Sequence, residues 1–189
     1  FAAVWYKLVN RDMGPISKFV GPDVAPAQEF QFPLPDPPAN LADMRAVEKE
    51  LNSLMEANSG KGEFIRLAVN SAGTFRHTDF FRGCNGALLL FSPGKDWKSN
   101  AGLDKTLKLL EPVKAKFGDS LSWADLIVLA GNVTAKRLGA PKDLPFCPGR
   151  TDAPDGAGWN HLEYGNAEPP TTIEDVLDRN SLRGLTTKD

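Results

Sequence analysis

Residues 63–77, EFIRLAVNSAGTFRH, combine a helical pattern with polar side chains on a face that should turn inward. Arg66 and Asn70 are four positions apart, so they share one face of an α-helix. Neither side chain accepts or donates a proton near neutral pH. The pattern therefore predicts a polar site on a buried helix face that has no general acid–base residue.

Two interpretations of Arg66 remain open at this point. A buried arginine usually pairs with a carboxylate or binds backbone carbonyls, and Asp79, Asp96 or Asp125 could supply the carboxylate. Alternatively, Arg66 is the remnant of an arginine that faces a ligand. The sequence favours the first interpretation and does not exclude the second.

Few other residues could bind a metal or act as a nucleophile. His77 and His161 are the two histidines, and neither has a second ligand at metal-binding spacing. Cys84 and Cys147 lack CxxC spacing; a disulfide between them is one interpretation, and two buried free thiols are the favoured one. That usage favours a reducing compartment such as the cytoplasm or an organelle interior. No metal site is predicted, and the histidines are expected on the surface or in loops.

Hydrophobic residues that recur every three or four positions predict the helices that hold this site. The predicted helices are 1–9, Leu41 to about 57, about 64–75, 103–116, 122–138 and one from about Thr172. Ser122 is placed as an N-cap, and Asp125 three positions later resembles its capping-box partner. No alternation typical of β-strands extends over a useful length, so the predicted class is all-α.

The stretch 10–40 is rich in proline, which excludes helix interiors and sheet ladders there. Its prolines are at positions 15, 22, 26, 33, 35, 37 and 38. We interpret it as an arm docked through aromatic residues such as Phe19, Phe30 and Phe32, or as a loose linker. The predicted organisation is the end of a preceding domain plus this arm at 1–40, followed by a partial domain at 41–189.

The composition limits the classes of function that are open to this chain. The chain has 189 residues, 41% of them hydrophobic, with a formal net charge of −2. This is enough for one domain with a core, and it gives no electrostatic case for binding nucleic acid. No apolar run is long enough for a transmembrane segment. The chain begins with Phe1 inside an amphipathic pattern, so we expect it to be part of a longer polypeptide or assembly.

Several motifs occur together in one order: RDMGP, IRLA with SAGTFR, GCNGALLLFSPGKDW, LSWADLIVLAGN and PFCPGRTDA. As a set they resemble the catalase-peroxidases, bifunctional haem enzymes of the plant-type peroxidase superfamily. Proteins of that family carry two homologous all-α domains, of which the first binds haem and the second is a degenerate copy. The resemblance implies that this chain is the distal half of a haem-peroxidase-like second domain, preceded by the proline-rich arm.

The resemblance also implies a role for the helix that carries Arg66 and Asn70. In the active domain of the family this helix carries Arg-x-x-Trp-His over the distal haem face, and the matching positions here are Arg66, Val69 and Asn70. The asparagine that orients the family's distal histidine is expected at Lys95. Only the arginine remains, so these four are expected to be vestigial positions with no intact catalytic residue.

The expected function follows from the resemblance. We expect no haem in this chain and haem b in the active domain of the parent family, whose activity is the breakdown of hydrogen peroxide. The chain would support an active peroxidase domain without catalysing the reaction. Two alternatives stay open: a structural accessory subunit among other protein subunits, and an active haem peroxidase whose proximal half lies outside this sequence.

Overall fold

The computed structural model describes residues 1–11, 13–58, 61–141, 144–160, 173–182 and 184–185. The helices in these residues are α1 (Ala2–Val9), α2 (Met44–Ala57), α3 (Lys61–Ala72), α4 (Leu103–Phe117), α5 (Trp123–Arg137) and α6 (Ile173–Leu182). Between 1 and 185, outside the gaps given, the only β-structure is an isolated bridge between Gly86 and Asp152. The predicted all-α class is confirmed. No helix among the described residues is long and apolar enough to cross a membrane.

The helix α2 begins later than its apolar pattern suggests. The carboxylate of Asp43 accepts a hydrogen bond from the backbone N–H of Arg45 at 3.0 Å and caps the first turn. Leu41 therefore lies outside the helix and is 43% exposed. The side chains that α2 buries in the core are Val47, Leu51 and Met55.

The helix α5 lies at the centre of the core, because apolar residues occupy most of its circumference. The helix α3 packs across it where Ala68 meets Gly131. A Cβ atom added to Gly131 would lie closer than 3.0 Å to the Cβ of Ala68. The absence of a side chain at Gly131 thus allows α3 to approach α5 closely, and this approach fixes the position of the polar face of α3.

The N-terminus of α5 is capped, although only half of the expected capping box forms. The Ser122 hydroxyl accepts from the Asp125 N–H at 3.0 Å, as expected for an N-cap. The Asp125 carboxylate turns away from Ser122 and accepts from the Gly149 N–H at 2.7 Å and from Arg150 Nη1 at 2.9 Å. The reciprocal bond was therefore predicted wrongly, because a buried carboxylate gains more from a guanidinium than from a second cap.

The proline-rich arm contacts the loop 79–86. A Cβ atom at Gly14 would lie closer than 3.0 Å to the backbone oxygen of Asp79, and Lys18 Nζ lies 5.7 Å from the ring centre of Phe80. Nearer its middle, the arm contacts α1 through Phe30, whose ring lies 5.9 Å from that of Tyr6. The arm is thus held at several points along its length, while the domain division after residue 40 stays a prediction.

Candidate functional site

The two faces of α3 differ in character because side chains three and four positions apart share a face. The buried face carries Phe64 and Leu67, with 1% and 0% exposure. On the other face, Val69 is 59% exposed and Arg66 and Asn70 are half-buried. The polar face is therefore less buried than the sequence pattern indicated, since no described helix covers Val69.

The Arg66 guanidinium binds a carboxylate on its own helix and two carbonyls on a neighbouring segment. Its Nη1 donates to Glu63 Oε2 at 3.0 Å. Its Nη2 donates to the carbonyl oxygens of Ala101 and, at 3.4 Å, of Ser99. Arg66 thus connects α3 to the segment that precedes α4 and has few N–H groups left for a ligand.

The three aspartates expected as partners of Arg66 bind other groups. Asp79 pairs with Arg76 in the interior, Asp125 pairs with Arg150, and Asp96 accepts from the Ser92 hydroxyl. The prediction of a carboxylate partner is correct in kind and wrong in residue. The actual partner is three positions away on the same helix, where an exposed ion pair forms most readily.

Asn70 bonds to the same segment. Its Nδ2 donates to the carbonyl oxygen of Ser99 at 3.0 Å and to Asn100 Oδ1 at 2.7 Å. The Asn100 side chain is buried, and its own Nδ2 donates to the carbonyl oxygen of Gly94 at 2.6 Å. We call Arg66, Asn70 and Asn100 the α3 clamp, because together they fix the segment 94–101 against α3.

The clamp includes a residue that the sequence analysis missed and leaves out one that it named. Lys95 is exposed on the turn Gly94–Asp96, and its side chain does not contact Asn70. The amide that contacts Asn70 belongs to Asn100, at the end of the next turn, Lys98–Asn100. A polar residue just before the start of α4 was the available signal, but sequence spacing does not reveal a contact across 30 positions.

The hydrogen-bond donors on the polar face of α3 are bonded within the protein. The clamp directs the N–H groups of Arg66 and Asn70 toward backbone carbonyls. The exposed His77 lies against Phe80, with ring centres 5.6 Å apart, and His161 is outside the described residues. Within the described ranges, no three histidine, cysteine or acidic side chains converge to hold a metal ion.

Two groups near α3 titrate outside their ordinary range. Burial raises the pKa of the Cys84 thiol, although a hydrogen bond with Ser71 opposes the shift. Burial and the nearby charge of Arg76 lower the pKa of Arg82 to about 10. Arg82 therefore remains charged at neutral pH, and the Cys84 thiol remains protonated there. Cys84 and Cys147 are both free, as predicted, but the prediction that both are buried is wrong, because Cys147 is exposed and Cys84 is only partly buried.

Known proteins are similar to this chain over most of its length. The model of the family described as Peroxidase matches residues 45–189. A catalase-peroxidase of Mycobacterium marinum is 41% identical over 165 residues, which cover 81% of this chain and 22% of that protein. A catalase-peroxidase of Thioalkalivibrio sulfidiphilus is 40% identical over 208 residues, covering 98% of this chain and 28% of the relative. The chain thus spans about a quarter of the length of the curated relatives it matches.

Proposed function

This chain belongs to the peroxidase family, and we propose that it is a non-catalytic peroxidase-like domain that supports the active domain of a catalase-peroxidase-like protein. The observation that carries the proposal is Asn70. It stands where the resemblance places the family's proton-transferring histidine, and its amide nitrogen donates to Ser99 and Asn100.

The physical reason concerns proton transfer. A positioned acid–base group contributes roughly 10²–10⁴-fold to the rate of a reaction that needs it. An amide has no accessible pKa near neutrality, so Asn70 cannot supply this contribution. Arg66 could stabilise developing charge, but its guanidinium binds Glu63 and the carbonyl of Ala101. Reorienting it toward a ligand would break these bonds.

A supporting role requires a partner, and α1 offers apolar contact area. Val4 and Leu8 on this helix are 74% and 61% exposed, and Phe1, just before it, is 99% exposed. Exposed apolar residues grouped on one element often mark a protein contact. The proposed partner is the active peroxidase domain, and the alternative is a different protein subunit. The length of the matched relatives, about four times this chain, favours the first.

Haem titration tests the proposal directly. The purified chain is titrated with haemin, the Soret band is recorded, and peroxide consumption is compared with the same concentration of free haemin. We expect no one-to-one complex and no consumption above the free cofactor. Tight stoichiometric binding with turnover would overturn the proposal and support the active-peroxidase alternative.

Mass spectrometry of the native polypeptide distinguishes the two supporting roles. An intact Arg-x-x-Trp-His domain in the same polypeptide supports a role beside an active domain. A short polypeptide that co-purifies with unrelated subunits instead supports the structural accessory role.

A further inference from the structure

A cavity of about 800 Å³ opens between the segment 95–102, the first turns of α4 and the start of α5. We infer that this cavity binds a small aromatic molecule. Its volume lies within the range of roughly 300–1,000 Å³ typical of small-molecule sites. The inference does not depend on whether the chain performs peroxide chemistry, because the Arg66 and Asn70 side chains do not line the cavity.

The floor of the cavity is apolar. Leu67, Leu89 and Leu103 form its base and are each at most 4% exposed. The leucine surface open to a ligand therefore belongs to Leu90 and Leu107, which are half-buried. Apolar ligand surface placed against these side chains would leave water, which is the main source of affinity in sites of this kind.

One wall of the cavity is the indole of Trp97, which neighbouring residues hold in place. The ring of Trp159 packs edge-on against it with centroids 4.8 Å apart. Trp159 in turn donates from Nε1 to the carbonyl oxygen of Leu88 at 3.0 Å and lies under the Arg82 guanidinium at 5.0 Å. Little ordering of Trp97 is therefore needed when a ligand binds, which favours affinity.

A second indole that lines the cavity is that of Trp123, at the first position of α5. Its backbone N–H donates to Asp152 Oδ2 at 2.8 Å, so the helix terminus that positions the indole is fixed. Two indoles on one cavity favour a flat aromatic ligand, because aromatic rings gain from stacked or edge-to-face contacts beyond simple burial.

The α3 clamp fixes the segment 94–101, which carries Trp97. Asn100 lines the cavity and binds both Asn70 and the carbonyl oxygen of Gly94. Arg66 and Asn70 therefore hold the segment that shapes the cavity. This arrangement assigns them a positioning role.

Charges at the cavity rim balance. The rim carries three lysines and three acids, which are Lys95, Lys98, Lys108, Asp96, Asp104 and Glu111. A rim with equal numbers of both signs gives no strong preference for a charged ligand. The ligand class is therefore an uncharged aromatic compound, for which the two indoles and the half-buried Leu90 and Leu107 supply the recognition.

A neutral fluorescent probe tests the inference on the full chain. N-phenyl-1-naphthylamine, whose emission rises in apolar surroundings, should bind saturably with one-to-one stoichiometry. Leu107→Trp, which fills the cavity, should weaken binding at least tenfold. Lys105→Trp, on an exposed part of the same helix outside the cavity, should leave binding unchanged. Circular dichroism and the urea midpoint establish that each variant is folded.

Indole N–H signals in the NMR spectrum supply a measurement that needs no variant. Addition of the probe should shift the signals of Trp97 and Trp123 and leave that of Trp5, on α1, in place. Non-saturable binding, or a shift confined to Trp5, would overturn the inference. The anionic analogue 8-anilinonaphthalene-1-sulfonate should bind no more tightly than the neutral probe, and binding of the anion more than tenfold tighter would overturn the assignment of an uncharged ligand.

Discussion

Replacing Gly131 by alanine is the sharpest test of how the fold positions the polar face of α3. In a solvent-exposed helix this change should stabilise, because alanine is favoured over glycine by about 1 kcal/mol. Here the added Cβ would lie closer than 3.0 Å to the Cβ of Ala68 on the facing helix. Ala68 lies between Arg66 and Asn70 in sequence, so any movement of α3 also moves the clamp.

The size of the stability change follows from the distance between the added Cβ atom and the Cβ atom of Ala68. Carbon atoms pack at about 3.5–4.0 Å, so α3 and α5 would have to separate by roughly 1 Å. Overpacking of this kind costs about 1–3 kcal/mol, and the helix preference of alanine recovers about 1. We expect Gly131→Ala to lower the free energy of unfolding by up to about 2 kcal/mol.

A double-mutant cycle in urea unfolding measures this effect. Ala68→Gly alone should also lower stability, by about 1–2 kcal/mol, through helix propensity and the lost methyl group. The double variant exchanges the two side chains and should return to within about 0.5 kcal/mol of the original chain, which is a coupling of roughly 1–4 kcal/mol. Increased stability of Gly131→Ala, or additive single effects, would refute the close crossing.

Three further outcomes can be checked independently. Asp125→Ala removes a buried acceptor of two hydrogen bonds from the loop after α5, and urea unfolding should show a loss of about 3 kcal/mol; a loss below about 1 would contradict the pairing. Asn100→Ala breaks the clamp and should cost about 1–3 kcal/mol, whereas the exposed Lys95→Ala should stay within about 0.5; equal effects would mean that the clamp is not formed. Iodoacetamide at pH 8 should modify Cys147 faster than Cys84, whose pKa is raised by burial, with the difference lost in urea; equal rates in the folded chain, measured by mass spectrometry, would argue against burial.

The positions of the helices could be predicted from the sequence because the patterns that define a helix are local. Apolar residues at helical spacing and an N-cap serine located α5, and the structure places its start at Trp123 beside the predicted cap. The start of α2 was misplaced because Leu41 fits the apolar period, whereas the Asp43 cap decides where the helix begins. Apolar periodicity alone cannot distinguish a residue in the first turn from one just outside it.

The site was harder to predict because its contacts are long-range. The Arg66 and Asn70 positions were found from helical spacing, but their partners on the segment 99–101 depend on how the chain returns to α3. Asn100 carries no sequence mark that separates it from other loop asparagines. Its role is visible only once its amide is seen between Asn70 and Gly94.

The amide at position 70 explains why a clamp can form where a proton-transfer residue is expected. A neutral imidazole has one N–H donor, whereas the asparagine nitrogen has two. Asn70 uses that nitrogen for both the Ser99 carbonyl and the Asn100 side chain. A histidine here would give up one of these bonds to keep a titrating nitrogen free. Loss of acid–base capacity and firmer attachment of the cavity wall are therefore two consequences of the same side chain.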